Sequence, residues 1–368
     1  MAGSTFGTNF RITTWGESHG AGLGVVVDGC PAGLPLSESD IQSYLDRRKP
    51  GTSAYTTPRK EADAVKILSG VFEGKTTGTP ISMMVYNTNE HSKDYDALKD
   101  IYRPGHADYT FDRKFGFRDH RGGGRSSGRE TIGRVAGGAV AAKILKENGI
   151  SFLTYATQIG PVKIDPDRFH EEEIRNNPLC MPDEEAAKEA AAYLDACRED
   201  KDSAGGIIEC VITGVPAGIG APVFDKLDAK LAQAIFSIGA VKGFEVGDGF
   251  AVANANGSTN NDAFIAGDGE DESKIAKATN HAGGILGGMS DGSPIVFRAA
   301  IKPTPSIGRE QQTVTKDGKE TMITIAGRHD PIIVPRAVVV VECMAAITIL
   351  DLMLENLGSR MDQLIRKD

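Results

Sequence analysis

Hydrophobic residues along the chain form short runs and helical repeats that predict a mixed α and β structure. Strands are predicted at residues 23–28, 67–72, 81–87, 207–213, 249–254 and 294–301, and a hairpin is predicted to turn at Asp317 and Gly318. Helices are predicted at residues 39–48, 134–145, 184–198, 225–236 and 336–350. Because the strands and helices do not alternate regularly, the pattern disfavours a doubly wound parallel sheet.

Three short motifs and one long helix occur twice in the same order, which indicates an internal repeat. The pairs are GCPAGLP at 29–35 with GVPAGIG at 214–220, GTPIS at 78–82 with GSPIV at 292–296, GHAD at 105–108 with GRHD at 327–330, and the helices at 134–145 and 336–350. We expect one domain over 1–368, made of two related halves, about 1–150 and 205–368, with a helical insertion near 183–200. Each half is predicted to form a sheet with helices on one face, and the two halves are predicted to share one helical layer.

Composition and charge exclude several classes of protein. The 368 residues carry a net charge of −9, which argues against broad, sequence-independent binding to nucleic acid. Five cysteines form no CxxC pair, so we expect reduced thiols and neither a disulfide framework nor a metal site. No signal peptide is recognised, and the apolar run at 337–357 contains three acidic residues. We therefore expect a cytoplasmic protein whose apolar run is a buried helix and not a membrane span.

A basic, glycine-rich segment at 121–134, RGGGRSSGRETIGR, contrasts with this acidic composition. Ser127 and Glu130 fit a capping box that begins a helix running to about Asn148. Free N–H groups at a helix N-terminus bind anions, and arginine matches the geometry of carboxylates and phosphates. A second basic segment lies at 47–60. The alternatives are an RNA-binding segment of the RGG type or a solvated surface, but this segment opens an amphipathic helix and favours a site for a small polyanion.

Three histidines lie in similar turns. They are His19 in GESHG, His106 in RPGHADYT and His329 in GRHDP. A single histidine is most often structural. Three such turns, two of them equivalent in the repeat, favour a shared site.

These segments, together with DRRKPGTS at 46–53, NHAGGILGG at 280–288 and KPTPSI at 302–307, resemble the chorismate synthase family over essentially the whole chain. The resemblance implies an α+β fold (an α/β sandwich), internally duplicated, with a helical layer packed between two antiparallel β-sheets. It implies a 1,4-anti elimination of phosphate from 5-enolpyruvylshikimate 3-phosphate to give chorismate, the last step of the shikimate pathway. It also implies a need for reduced FMN (FMNH2) without net redox change, and a homotetramer.

The resemblance assigns site residues by motif. His106 would protonate or stabilise the departing phosphate, His19 would be the partner of the reduced flavin at N1, and Asp330 would help take the C6 hydrogen as a proton through flavin N5. Substrate binding is assigned to Ser18, Arg48, Arg103, Arg129 and Arg134. FMN binding is assigned to Arg125, Ser126, Ser127, Gly239, Ala240, Gly287, Lys302, Pro303, Thr304, Pro305, Ser306 and Arg328, and no metal site is implied.

Two positions depart from the family's usual pattern. Ala54 stands where the family commonly has a second arginine, which weakens any substrate or nucleotide contact at that loop, although Arg59 and Lys60 could compensate. Gly239 stands where asparagine is usual, so a flavin contact at this position would have to come from the backbone. The two histidines and Asp330 are unaffected.

Three functions remain open at this point. They are a phosphate lyase that depends on reduced FMN, a bifunctional form that also reduces its own FMN with NADPH, and a nucleic-acid-binding protein that uses the basic loops. No GxGxxG motif opens a βαβ unit, and no appended reductase domain is recognised. The monofunctional lyase is therefore favoured, with an external flavin reductase as the source of reduced FMN and NADPH involved only indirectly.

Overall fold

The computed structural model describes residues 3–51, 55, 61–87, 98–267, 274–325 and 330–364. Its strands are β1 (Thr5–Phe6), β2 (Arg11–Gly16), β3 (Gly22–Asp28), β4 (Val65–Ile67), β5 (Val71–Phe72), β6 (Lys75–Thr76), β7 (Ile81–Tyr86), β8 (Ser151–Ile159), β9 (Val162–Lys163), β10 (Gly206–Thr213), β11 (Val241–Val246), β12 (Phe264–Ala266), β13 (Ile275–Lys277), β14 (Ile285–Leu286), β15 (Met289–Ser290), β16 (Ile295–Ile301), β17 (Glu310–Val314) and β18 (Glu320–Thr324). Its helices are α1 (Glu38–Arg48), α2 (Asp108–Phe115), α3 (Thr131–Glu147), α4 (Glu173–Asn176), α5 (Glu184–Glu199), α6 (Leu227–Phe236), α7 (Gly257–Asn260), α8 (Val334–Asn356) and α9 (Met361–Leu364).

The two main sheets share one strand order. The first sheet runs β1-β2-β3-β7-β4 and the second runs β11-β16-β10-β8-β9, with every neighbouring pair antiparallel. The order β2-β3-β7-β4 therefore matches the order β8-β10-β16-β11. The helices match as well, because α1 follows β3 as α6 follows β10, and the long helices α3 and α8 come after β7 and β16.

The helices form a layer between the sheets. Helix α3 packs on β2, β3 and β7, whereas α8 packs on β8 and β10, and α3 and α8 pack on each other. Alternation explains the buried faces of the sheets: in β16 every second residue from Ile295 to Ile301 is buried. The predicted α+β fold, duplicated and with a helical layer between two antiparallel sheets, is confirmed.

Helix α8 is the centre of the core. It is long and apolar enough to cross a membrane, but most of it is buried inside the protein. Its close approach to α3 depends on Gly138, because a Cβ atom there would lie only 2.2 Å from Cys343 Cβ. The acidic residue Glu342 is also buried, and it accepts hydrogen bonds from Arg47 at 2.9 and 2.6 Å.

Two of the predicted strands are wrong in whole or in part. The strand predicted at 67–72 is divided into β4 and β5, because the chain turns at Gly70 with φ +80°. The segment predicted as a strand at 249–254 is a 3-10 helix, Gly249–Asn254. Glycines with positive φ at 247 and 249 turn the chain away from β11, which removes it from the sheet.

The other predicted strands agree with the structure within one residue at each end, and the predicted helices agree within two residues, with two exceptions. Helix α3 begins three residues before the predicted start, and α8 ends six residues after the predicted end. The hairpin of β17 and β18 turns at the predicted Asp317 and Gly318, and α5 occupies the predicted insertion. The boundaries of the two halves stay a prediction. Strand β8 joins the second sheet although it precedes residue 205.

Candidate active site

The glycine-rich segment folds into two 3-10 turns, Gly124–Ser126 and Gly128–Glu130, immediately before α3. Ser127 caps the second turn, because its Oγ accepts a hydrogen bond from the backbone N–H of Arg129 at 3.3 Å. The segment therefore brings the side chain of Arg129 to the N-terminal end of a buried helix.

Glu130 does not complete the predicted capping box. Its two carboxylate oxygens accept hydrogen bonds from Arg134 Nε at 3.0 and 2.9 Å, one turn further along. The reciprocal half of the predicted box is therefore wrong, since an ion pair across one helical turn competes for the same carboxylate. The helix begins at Thr131 and ends at Glu147, with Asn148 as its C-cap, which agrees with the predicted end near Asn148.

Two arginines and two carboxylates form a buried group where the C-terminal end of α1 meets the N-terminal end of α3. We call this group the arginine cluster; it contains Arg48, Arg129, Glu61 and Asp63. Asp63 Oδ2 accepts from Arg48 Nη2 at 2.7 Å, and Asp63 Oδ1 accepts from Arg129 Nη1 at 3.1 Å. The same Nη1 donates to the carboxylate of Glu61.

Arg48 is almost completely buried, at 1% exposure. Burial lowers the pKa of its guanidinium, an effect that the neighbouring Asp63 opposes, and arginine stays protonated in such surroundings. Its Nη1 donates to Gly128 O and Thr131 Oγ1, both at 3.3 Å. No described residue accepts a hydrogen bond from its buried Nε, which fits a place where an anionic ligand would approach.

Asn87 joins the arginine cluster to the turn that carries His19. Its Oδ1 accepts from Arg129 Nε at 2.6 Å, while its Nδ2 donates to Glu17 O at 3.0 Å and to Gly20 O at 2.7 Å. One amide side chain therefore fixes the spacing between Arg129 and the turn at 17–20.

Ser18 and His19 lie within this turn and face the glycine-rich segment. Ser18 Oγ and His19 Nδ1 are 3.2 Å apart. Gly122 packs so closely on them that a Cβ atom there would lie 2.6 Å from His19 Cε1 and Nδ1 and 3.1 Å from Ser18 Oγ. Gly122 has φ +84°, a conformation that favours glycine.

Arg103 also contacts Gly122. Its Nη2 lies 3.4 Å from Gly122 O, and the buried Asp108 accepts from its Nε and Nη2 at 2.8 and 2.7 Å. This bidentate ion pair fixes the turn that carries His106, and Arg103 contributes to lowering the pKa of Asp108.

His106 connects this turn to the segment at 302–306. Its Nε2 is 2.9 Å from Ser306 Oγ, and its Nδ1 is 2.9 Å from Pro104 O. Burial, and next the positive charge of Arg103, lower the pKa of His106. A neutral imidazole therefore predominates at neutral pH when no anion is bound.

The predicted flavin segment at 302–306 packs directly on the His106 turn. Lys302 Nζ donates to Gly105 O at 2.9 Å, and a Cβ atom at Gly105 would lie 2.6 Å from Pro305 Cβ. Pro303 and Thr304 lie between these contacts, and Thr304 O accepts from Ser203 Oγ at 2.7 Å. Thr304 Oγ1 is buried without a hydrogen-bond partner among the described residues.

Asp330 is joined to the arginine cluster through Arg336. Its Oδ2 accepts from Arg336 Nη1 at 2.6 Å, and Arg336 Nε donates to Arg48 O at 3.0 Å. Because Arg336 lies at the start of α8, the same helix that fills the core also fixes this carboxylate next to Arg48.

The contacts therefore join His19, His106, Arg48, Arg103, Arg129 and Asp330 into one continuous network. The glycine-rich turn contacts Arg103 of the His106 turn at Gly122, and the His106 turn contacts the segment at 302–306 at Gly105. Asn87 joins the arginine cluster to the His19 turn. The structure brings these predicted residues together, and their individual roles stay predictions.

Four other predicted residues of the glycine-rich segment contact protein groups. Arg125 donates to Gly16 O at 3.1 Å and to Thr14 Oγ1 at 2.6 Å, so it stabilises the C-terminal end of β2. Arg134 donates to Ser237 Oγ at 2.6 Å as well as to Glu130. Ser126 Oγ donates to Gly123 O at 2.8 Å, and Ser127 acts as the cap described above.

The predicted flavin contacts in the second half do not all lie together. Gly239 and Ala240 follow the C-terminal end of α6, where Ala240 O accepts from Lys302 N at 2.9 Å. Gly287 lies in the turn of the β14–β15 hairpin, which packs on the N-terminal end of α6. A helix of this length separates the two groups by about 15 Å, so Gly287 does not join the others within one chain. Arg328, His329 and Ala54 lie outside the described residues.

The network contains residues that the sequence reasoning missed. They are Glu61, Asp63, Asn87, Asp108 and Arg336. Glu61 and Asp63 follow the basic segment at 47–60 directly, so the change of charge along the chain was an available signal. Asn87 and Arg336 had none, because their contacts come from distant parts of the chain.

Comparisons with known proteins agree with this architecture. The family profile described as chorismate synthase matches residues 10–354. A chorismate synthase of Agathobacter rectalis is 66% identical over 364 residues, covering 99% of this chain and 98% of the relative. One from Methanosarcina mazei is 55% identical over 359 residues, covering 97% of both chains. A solved structure named "Crystal Structure of Chorismate Synthase" superposes with a TM-score of 0.75 at 33% identity, covering 98% of this chain and 96% of the other. The chain therefore belongs to the chorismate synthase family.

Proposed function

We propose that the protein converts 5-enolpyruvylshikimate 3-phosphate to chorismate and phosphate by a 1,4-anti elimination that requires reduced FMN. The observation that carries this proposal is the single network of arginines and histidines in a chain of net charge −9. A substrate with two carboxylates and one phosphate needs such a local concentration of cationic donors.

The arginines would bind and neutralise the substrate. Arg48 and Arg129 have side chains that are only 2% and 10% exposed, so an anion bound to them would be largely removed from water. Charge that develops on the leaving phosphate is stabilised most strongly by fixed donors in such dry surroundings. Ser18 and Arg103 both lie against Gly122, and Asn87 joins the turn that carries Ser18 to Arg129.

His106 would provide the proton or the positive charge for the departing phosphate. Its neutral state in the absence of an anion follows from burial and from the charge of Arg103. A phosphate beside the ring would favour the imidazolium, because an opposite charge raises the pKa of histidine. Binding of the substrate would therefore charge the group that the leaving phosphate needs.

The described residues fit a flavin phosphate and ring system beside the histidines. Lys302 brings a positive charge, Thr304 Oγ1 is an unpaired buried hydroxyl among the described residues, and a Cβ atom at Gly239 would meet nothing within 4 Å. These residues, with Ala240, Pro303, Pro305 and Ser306, would hold the cofactor, and His19 would face it from the glycine-rich turn. When bound there, reduced FMN would supply transient electron density to the substrate without net redox change.

An anaerobic assay tests the proposal. We expect the purified protein, with FMN reduced by dithionite, to release one phosphate for each chorismate formed. No turnover under these conditions would refute the proposed function. NADPH without dithionite is expected to give no turnover, and turnover there would show the bifunctional form. The homotetramer, the external flavin reductase and the cytoplasmic location stay predictions.

A further inference from the structure

We propose that Asp63 is a positioning residue that holds Arg48 and Arg129 in register, and that Glu61 is the counter-ion that an incoming anion displaces. This inference rests on the proposed function, because it takes Arg129 as a group that contacts the substrate.

The first observation is the position of the Asp63 carboxylate between two arginines. Each of its oxygens accepts from a different guanidinium, at 2.7 Å from Arg48 and at 3.1 Å from Arg129. Its side chain is 0% exposed. A buried carboxylate needs charged partners, and here both partners are arginines that project from different helical segments. Asp63 therefore fixes the distance between the two guanidinium groups.

The second observation is the backbone of Asp63. Its φ of +44° lies in the left-handed region, which aspartate adopts more often than most residues other than glycine. Conformations of this kind persist where surrounding contacts hold them. The residue lies two positions before β4, and its backbone turns the carboxylate inward, between α1 and α3. The hydrogen bonds from Arg48 and Arg129 are contacts of this kind, since they hold the Asp63 side chain in place.

Glu61 has a different environment in the same cluster. Among the described residues, its side chain pairs with Arg129 only. Its side chain is 7% exposed, whereas that of Asp63 is 0% exposed. Among the four members of the arginine cluster, two positive charges meet two negative charges. An anionic substrate would gain little attraction from a neutral cluster, so one carboxylate has to leave when it binds. Glu61 is the one attached to a single arginine.

Removing the charge of Asp63 and removing the charge of Glu61 should therefore change the substrate affinity in opposite directions. Asp63→Asn is expected to weaken binding of 5-enolpyruvylshikimate 3-phosphate about ten-fold or more, since a hydrogen bond to a charged group is lost and Arg129 is released. Glu61→Gln is expected to tighten binding about three-fold or more at low salt, because the competing charge is removed. Flavin affinity is expected to stay unchanged in both variants.

Asp183→Asn is the matched control. Asp183 is also buried and paired with an arginine, Arg168, but it caps α5, away from the network. We expect it to lower the thermal midpoint while leaving substrate affinity unchanged.

Asp63→Glu is the second variant in case Asp63→Asn does not fold. It keeps the charge but moves the carboxylate, and we expect it to fold and to bind substrate about ten-fold more weakly.

Titration of each variant with substrate and oxidised FMN, together with crystal structures of Asp63→Glu and Asp183→Asn, decides the proposal. A displaced Arg129 guanidinium in Asp63→Glu, with Arg129 unmoved in Asp183→Asn, would support the positioning role. Wild-type affinity in Asp63→Glu with an unmoved Arg129 would overturn it. Equal or weaker binding in Glu61→Gln would overturn the role of Glu61. If the wild-type protein binds no substrate, the proposed function fails, while the position of Arg129 still decides the role of Asp63.

Discussion

Gly122→Ala is expected to lower turnover far more than its loss of stability explains. Gly122 lies at the point where the glycine-rich turn touches both Ser18 and His19. An alanine Cβ there would be 2.6 Å from two atoms of the His19 ring, whereas carbon atoms in normal contact are about 3.5–4.0 Å apart. The imidazole or the turn must therefore move by about 1 Å.

The structure separates the two consequences of this change. Alanine at φ +84° costs about 1–2 kcal/mol in the left-handed region, whatever surrounds it. A displacement of about 1 Å in a site residue reduces turnover on the order of 100-fold, because the reacting groups lose their alignment. The second effect arises only if His19 takes part in the reaction.

Gly124→Ala provides the control in the same turn. Gly124 also has a positive φ, +50°, but a Cβ atom there would meet nothing within 4 Å. We expect both variants to lose similar thermal stability, measured by calorimetry, and only Gly122→Ala to lose turnover in the anaerobic assay with dithionite-reduced FMN. Equal turnover in the two variants would refute the assignment of His19 to the site.

Further outcomes are expected elsewhere in the chain. His106→Ala should lower kcat by roughly 10- to 1,000-fold with flavin affinity unchanged, and wild-type turnover would exclude His106 from the mechanism. Arg129→Ala should weaken substrate binding by about 1.5–3 kcal/mol in titration calorimetry, and an unchanged Kd would contradict this. Gly138→Ala should lower the free energy of unfolding by about 1–3 kcal/mol, because the added methyl group separates α3 from α8; an unchanged denaturation midpoint would contradict that packing. Because folding lowers the pKa of His106, the unfolded chain binds more protons below about pH 6.5, so the wild type should lose stability relative to His106→Asn as pH falls from there; parallel denaturation curves would contradict it.

The clustering of basic residues along the sequence indicated where the site lies, but it did not indicate which arginines form it. Of the four arginines in the segment at 121–134, Arg129 belongs to the arginine cluster. Arg121 pairs with Asp119, while Arg125 and Arg134 contact protein oxygens around them. The guanidinium group is the same in all four arginines. The acceptors that the fold places around each group decide whether it binds a ligand or stabilises the protein.

The glycines of this segment also show that the sequence indicates local conformation but not contacts. The glycines at 122 and 124 both indicate a turn in the sequence, and both have positive φ in the structure. Only Gly122 packs against a histidine. Local conformation follows from the residue type, whereas close contact depends on which distant segment arrives at that point.

The amino-acid sequence alone determined the five longest of the described helices, the strands β3, β7, β10 and β16, the β17–β18 hairpin, the internal repeat, the family and the turns that carry His19 and His106, because these follow from periodicity and motifs along the chain. It did not predict β2, β8 and β11 of the two main sheets. Only the tertiary structure decided that Asp63 lies between Arg48 and Arg129, that Asn87 joins Arg129 to the His19 turn, and that Gly287 lies apart from Lys302. The physical reason is that ion pairing and burial depend on distance in space, and residues 48, 63, 87 and 129 become neighbours only when α1, β7 and α3 pack together.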